Sequence, residues 1–455
     1  MHKIKIPPKN TDSSLKILKA TFKDHYTYEG QMIQKYGDIY RFKLFNKTCY
    51  SISHPDHMKH VLLDNMQNYI RPREGSFSQK AFIEYCGNPN NLRHTTDQQY
   101  WKKSGDAVIP PFFSKERFQG YCSAIAESVL KMTAKWETNI KAGEPVNIKE
   151  EMLKLGSRAI MENLFDLKDF DFDRFYMEKT RVFAQIGKRG VLPSFLHWLL
   201  PSQDKKDWQE GNTYLHHFTE SIINQRIGRQ NTHKDIICCL IEAFKDAPNK
   251  EQMLANFNSE FRMYLVTGET LGAGLNHALA ILSGHSSVED KVHDELARVL
   301  KGNIPEYDSL NTLSYLGCFI KEALRFCTPA PLLTRITLKD DEISGYHVPK
   351  DTLIFLRHYW NHRHPDFWDN PERFIPERFK DKPWGQDHEY AYTPFSGGPR
   401  ACIGGRFGMH FYTVVLATLL QKYRFKLLPG ASAVPEGVAI SFPKDADRMI
   451  VLRRG

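Results

Sequence analysis

Near the end of the chain, Phe395-Ser396-Gly397-Gly398-Pro399-Arg400-Ala401-Cys402-Ile403-Gly404 places a cysteine inside a glycine-rich loop. Behind it Phe407, Phe411, Val414, Val415 and Leu419 recur at helical spacing, which predicts a helix starting just after Cys402. A helix start offers unpaired backbone N–H groups and the positive end of a dipole, and both favour thiolate over thiol. The glycines let several N–H groups converge on one sulfur and leave room for a flat partner to press close. Phe395 adds an aromatic wall and Arg400 a fixed positive charge. Such a sheltered thiolate can serve as a nucleophile, a zinc ligand or a haem ligand. Zinc would require further Cys or His at short spacing, and no C-x-x-C occurs in the chain.

A second candidate lies in the longest helical stretch, residues 253–283, roughly 45 Å at 1.5 Å per residue. Between Arg262 and Glu289 its one formally charged residue is Glu269, and Thr270 follows directly. Gly268 and Gly272 form a small-xxx-small face of the kind found between membrane helices. Glu269, Asn276 and His277 favour the other reading, a buried helix crossing a large domain. A third constellation is Glu322-x-x-Arg325, one helical turn apart, followed by Arg378 in Phe374-Ile375-Pro376-Glu377-Arg378-Phe379.

The pattern F-x-x-G-x-R-x-C-x-G from Phe395 to Gly404 resembles the haem-thiolate loop of the cytochrome P-450 monooxygenases. The resemblance spans about Tyr36 to Leu452 and is strongest from Met263 onward. It implies that Cys402 is the axial ligand of a non-covalent haem b, since no C-x-x-C-H attachment motif is present. Phe395 and Gly404 would shape the haem pocket, and Arg335 and Arg400 would hold its propionates. Val266-Thr267-Gly268-Glu269-Thr270 is similar to the family's A-G-x-[DE]-T motif, with the glycine displaced by one position. Glu269 and Thr270 are then the expected catalytic pair, Glu269 relaying protons and Thr270 orienting dioxygen or a water. Glu322, Arg325 and Arg378 match a structural charge network behind the haem.

Trp101 matches the start of a W-x-x-x-R propionate motif, but Gly105 stands where the arginine is expected. Lys102 is expected to cover for it, while Trp101 as a plain core anchor remains the bland reading. Substrate-pocket positions implied by the resemblance are Phe77, Phe82, Tyr264, Leu265, Gly268, Ala330 and Leu332, and they point to an apolar substrate such as a fatty acid, terpenoid or sterol. The resulting expectation is a monooxygenase that hydroxylates or epoxidises. Rival readings are a peroxide-driven or rearranging haem-thiolate enzyme, and a non-catalytic haem sensor or carrier.

The 455 residues are 41% hydrophobic, enough for a substantial core, and the mean hydropathy of -0.49 argues against a multi-span membrane protein. The fold expected is mainly α with small β-sheets, a long central helix over the haem and the cysteine loop below it. Residues 1–35 would form an N-terminal segment without a transmembrane anchor, and residues 36–455 one catalytic domain. MHKIKIPPKN contains no run of signal or anchor length, so a cytoplasmic monomer is expected unless an anchor was removed. Eight scattered cysteines fit a reducing compartment. The net charge of +9 is spread along the chain, and no nucleic-acid motif accompanies it. With 53 residues after Cys402 (455 − 402), electrons are expected from a separate ferredoxin, flavodoxin or reductase. Lys102, Lys103 and Arg406 are its candidate contacts.

The elements that position these residues are also legible. A helix is predicted over 15–35, a turn at Tyr36-Gly37-Asp38, and a hairpin of Ile39–Leu44 with Thr48–Ile52 around Asn46. His54-Pro55-Asp56 opens a short helix. Residues 77–85 read as an aromatic, irregular loop over the haem. Helical spacing covers 118–138 and 148–165, and two helices within 170–226 flank Gly190–Pro201, an apolar segment expected to roof the pocket.

Overall fold

Alternation of side chains decides the sheet. Tyr40, Phe42, Cys49 and Leu353 point to one face, where they pack with Ile17 and Met32 of the helix Ser14–Tyr36. Their neighbours Ile39, Tyr50, Ile52, Ile354 and Leu356 point to the other, among Met58, Val61, Leu62 and Tyr69. A period of two thus buries both faces of one ribbon. The computed structural model describes residues 5–72, 77–88, 91–112, 114–189, 194–227, 235–246, 249–383 and 387–454, with the side chains at 77–80, 110, 111, 187 and 194–196 outside the description.

The chain divides into two compact units. The first holds Met1–Arg71, Phe118–Leu155 and Thr270–Gly455. Its five-stranded sheet runs in the order Ile39–Leu44, Lys47–Ile52, Leu353–Arg357, Leu332–Thr337, Tyr69–Ile70. Lys47–Ile52 and Leu353–Arg357 pair in parallel, and the other neighbours are antiparallel. Phe45-Asn46 closes the first hairpin, and Phe45 takes a positive φ of 54° there. The helices Lys115–Ala134, Ser314–Phe326 and Gly405–Leu420 supply most of the remaining core.

The second unit comprises Pro72–Arg117 and Gly156–Glu269 and is helical. Phe172–Arg189 and Ser202–Ile227 lie side by side, because Gly211 leaves no room for a Cβ against Val182 and the Glu178 carbonyl. Phe165, Phe175, Phe218 and Phe261 form its aromatic centre. Residues 77–85, read from sequence as an irregular loop, are instead inside a helix, Phe77–Cys86. The segment has neither Gly nor Pro, and Phe82 and Tyr85 fall one turn apart with rings 5.7 Å from each other. Of the expected roof segment, 190–193 lie outside the described residues, while Trp198 and Leu199 are exposed.

The helix Lys250–Ser283 is the longest element and runs without a break through 266–270. No described helix is long and apolar enough to cross a membrane. In that helix Gly268 and Gly272 serve helix packing instead. A Cβ at Gly268 would come within 2.8 Å of the Ser157 Cα, and one at Gly272 within 2.7 Å of the Leu153 Cα, both on the helix Ile148–Leu164.

Several histidines are buried and held neutral. Burial pushes His277 and His358 down to about 3, aided at His358 by the Arg335 charge. Burial likewise brings His57 and His410 to about 4. An unfolded histidine accepts a proton near pH 6.5, so the unfolded state binds more protons below that value. Stability is therefore complete above about pH 6.5 and falls as the pH drops toward 4, by up to about 1.4 kcal/mol per pH unit for each such group. The melting temperature of the protein should be flat from pH 7 to 8 and decline steeply below pH 6, as followed by circular dichroism.

Candidate active site

Cys402 is the one exposed cysteine of the eight, and none is in a disulfide. Burial raises Cys49, Cys86, Cys122 and Cys327 to about 12, which keeps those thiols protonated. The loop around Cys402 is a tight hairpin. The Cys402 N–H donates to the Phe395 carbonyl at 2.8 Å, and the Ala401 N–H to that of Gly398 at 3.0 Å. Gly398 has φ +69°, and a side chain there would collide with the Leu62 carbonyl oxygen. The helix Gly405–Leu420 starts three residues after the sulfur, with Gly404 as its N-cap. Gly405 is pressed on the Phe395 ring, 3.2 Å from an added Cβ.

This helix links the loop to the central one within the first unit. Phe395 and Leu271 both lie against Gly408. The Tyr412 hydroxyl donates to the Thr270 carbonyl at 3.2 Å, and Gly274 has no Cβ to block it. Burial raises the Tyr412 phenol well above its ordinary value, and the Cys402 charge raises it further, so it stays a donor. Sequence reading missed Tyr412. Its place at i+5 from Phe407 on an otherwise apolar helix was the available signal.

Carboxylate-binding groups gather in the same unit. Arg335 is buried on the strand Leu332–Thr337, and its guanidinium donates to the Thr334 carbonyl at 2.9 Å. His358 shares a 2.8 Å hydrogen bond with Thr393 through Nδ1, while its buried Nε2 has no hydrogen-bond partner among the described residues. Charges on Arg335 and Arg71 act on this ring. Arg400 is half-buried, and burial lowers its pKa from the usual guanidinium value. An accessible thiol at a helix start together with buried cations and an unsatisfied imidazole N is the donor set that a haem, with one iron and two propionates, requires.

Glu322 and Arg325 are fully buried and paired bidentately, at 2.7 and 2.8 Å. Arg325 also donates to the carbonyls of His362, Pro371 and Arg373, and Glu322 accepts the Ile375 N–H at 2.8 Å. Arg378 sits at ion-pair distance, 3.4 Å from Glu322 Oε1, and donates to the Asn370 carbonyl.

In the second unit the Glu269 carboxylate meets a residue that sequence reading did not single out. Lys179 Nζ lies 2.5 Å from Glu269 Oε1 and 2.5 Å from Ser157 Oγ. Tyr264 and Leu265 are buried, with Tyr264 edge-on to Phe165. Phe82 lies under the Arg93 guanidinium. The Phe77 side chain lies outside the described residues. Trp101 is half-buried and Lys102 exposed on the helix Gln98–Phe112, and Gly105 adjoins Ile109. Ala330 and Leu332, half-buried, belong to the first unit.

A mostly helical chain with small sheets, organised around a single cysteine loop, has the architecture of a haem-thiolate protein. Comparison with known proteins agrees: the cytochrome P-450 family model matches residues 17–445. The chain is 26% identical over 403 residues to cyclooctat-9-en-7-ol 5-monooxygenase of Streptomyces melanosporofaciens, covering 87% of this chain and 84% of that protein. It is 23% identical over 410 residues to pentalenene oxygenase of Streptomyces avermitilis, covering 90% and 88%. Cyclooctatin synthase of Streptomyces melanosporofaciens is 24% identical over 404 residues, covering 88% and 85%. The chain belongs to the cytochrome P-450 family. It is an oxidoreductase of the monooxygenase type that carries haem b and uses dioxygen, a substrate and a separate redox partner.

Removing one member of the Glu322 network strands the buried Arg325 charge. Glu322→Gln should cost about 3–5 kcal/mol in denaturant unfolding, whereas Arg378→Gln, losing the longer contact to Glu322 and the hydrogen bond to the Asn370 carbonyl but stranding no fully buried charge, should cost less.

Proposed function

We propose that this protein inserts one oxygen atom of dioxygen into an apolar, terpenoid-like substrate, with Cys402 as the haem ligand. One observation carries the reading: Cys402 is the only exposed thiol, and Tyr412 on the following helix ties that loop to the backbone of Thr270. Haem b, when bound, supplies the redox-active iron at which dioxygen is reduced. Substrate, dioxygen, two electrons and two protons then become hydroxylated product and water.

The chain's own residues do the rest. Cys402 donates sulfur from a hairpin that Gly398 and the Phe395 carbonyl hold rigid. Arg335, Arg400 and His358 bind the propionate carboxylates. The Thr270 hydroxyl orients dioxygen or a water, and its backbone is fixed by Tyr412. Glu269 takes up protons from outside and gives them up toward that oxygen. Phe82, Tyr264 and Leu265 supply apolar contacts. The printed names of two relatives, an alkene oxygenase and an unsaturated-alcohol monooxygenase, support an apolar, unsaturated substrate. Electrons come from an acidic ferredoxin or flavodoxin that meets exposed Arg406, beside the Cys402 loop.

Cys402→Ser should abolish the red-shifted absorbance band of the reduced carbon monoxide adduct, and a parent protein without that band would refute the ligand assignment. Thr270→Ala should retain the band but divert electrons to hydrogen peroxide, measured as peroxide released per NADPH with pentalenene as probe. Unchanged coupling would remove Thr270 from the mechanism. Reduction by a plant-type ferredoxin should slow as salt rises, and a salt-independent rate would argue against an acidic partner.

A further inference from the structure

Among the buried histidines, His277 on the central helix has a partner far away in the chain. It is 1% exposed, and its Nε2 shares a 2.9 Å hydrogen bond with the Oγ of Ser441, itself fully enclosed. Burial keeps the ring neutral, and Nδ1 has no hydrogen-bond partner among the described residues. An unpaired buried nitrogen costs stability, so an apolar side chain would fill this space with less penalty. Ser441 in turn donates its N–H to the Pro329 carbonyl at 3.0 Å, directly before Ala330. One imidazole thus connects the central helix to the segment that leads into the strand Leu332–Thr337.

The hairpin that carries Ser441 is short. Pro435–Glu436 pairs with Phe442–Pro443 over two residue pairs, and the proline in each strand removes a donor. Backbone bonds from Lys444 to Val434 and from Ser432 to Lys444 close its base. Gly437 takes φ +97°, where a Cβ would collide with the Ile440 carbonyl oxygen, so the turn is fixed in shape. Its placement depends on ties from outside: Ser441 to His277 and Pro329, and the Tyr26 hydroxyl, which donates to the Gly437 carbonyl at 3.2 Å. His277 stands seven residues beyond Thr270 (277 − 270), two helical turns, so both lie on one face of the helix. They are about 10 Å apart along its axis.

We propose that His277 is a positioning residue for regiochemistry: through Ser441 it sets where Pro329–Leu332 stands relative to Thr270, and so which part of the substrate faces the oxygen. This rests on the assignment of Ala330 and Leu332 to the substrate pocket and of Thr270 to the oxygen. A single hydrogen bond is enough for such a role, because the hairpin ladder by itself supplies little to oppose a shift.

The test uses the haem-loaded full chain and phenyldiazene, a probe that needs no knowledge of the natural substrate. It places a phenyl group on the iron, and oxidation with ferricyanide moves that group onto the porphyrin nitrogens that lie under open space. The ratio of the N-phenyl isomers, read by chromatography, reports the shape above the haem. His277→Phe keeps a ring and removes the bond to Ser441. The ratio should shift by up to about fivefold, the equivalent of one neutral hydrogen bond. Ser441→Ala should shift it the same way, and the double variant no further. His277→Gln, which can still reach Ser441, should restore the parent ratio. A purely structural histidine would lower the melting temperature and leave the ratio at the parent value, and that result overturns the proposal. Additive shifts, or a glutamine variant as displaced as the phenylalanine one, overturn it as well. Where His277→Phe fails to take up haem, Ser441→Ala carries the test, and a parent ratio there overturns the proposal. Failure of the pocket assignment looks different: Ala330→Leu, a change in the segment itself, would then leave the ratio unmoved, and the proposal falls with it.

Discussion

The bidentate pair of Glu322 with Arg325 is the constraint on which the cysteine loop depends. Two opposite charges with no exposure to water are tolerable only if their remaining hydrogen-bonding capacity is met. Arg325 meets it with carbonyls of His362, Pro371 and Arg373, and Glu322 with the Ile375 N–H. Those partners all lie in the irregular stretch that precedes the loop. Backbone with no ladder of its own is thereby held by a salt bridge, and the position of Cys402 follows from it.

The central helix solves a second problem, the placing of polar groups within an apolar element. Gly268 and Gly272 let the backbone of the helix Ile148–Leu164 and the Ser157 hydroxyl come close to the central helix. Each half of the Glu269-Thr270 pair then has its own anchor. The acid is held by a buried ammonium, and the backbone of the alcohol residue by a tyrosine hydroxyl. The residue types that do chemistry are ordinary, and their surroundings restrict them to one orientation.

Much of this could be read from residue order. The cysteine loop, the long helix with Glu269 as its one charge beyond Arg262, the hairpin at 39–52 and the Glu322-x-x-Arg325 spacing all express local periodicity or short motifs. The loop expected at 77–85 went the other way, because its aromatic content obscured a segment with no helix breaker in it. Tyr412 and Lys179 were not legible. A tyrosine on an apolar helix and a lysine on an amphipathic one look like commonplace neighbours until long-range packing selects their partners.

The sequence by itself determined the family and offered the candidate ligand, acid and alcohol, since each is a short pattern whose chemistry depends on residue type and spacing. Tertiary structure alone decided which thiol stays accessible, which carboxylate is paired and why the glycine sits at 268. Those outcomes depend on contacts between residues far apart in the chain: Lys179 is 90 residues from Glu269, and Tyr412 is 142 from Thr270. Burial and close approach are properties of the packed core, and no local pattern encodes them.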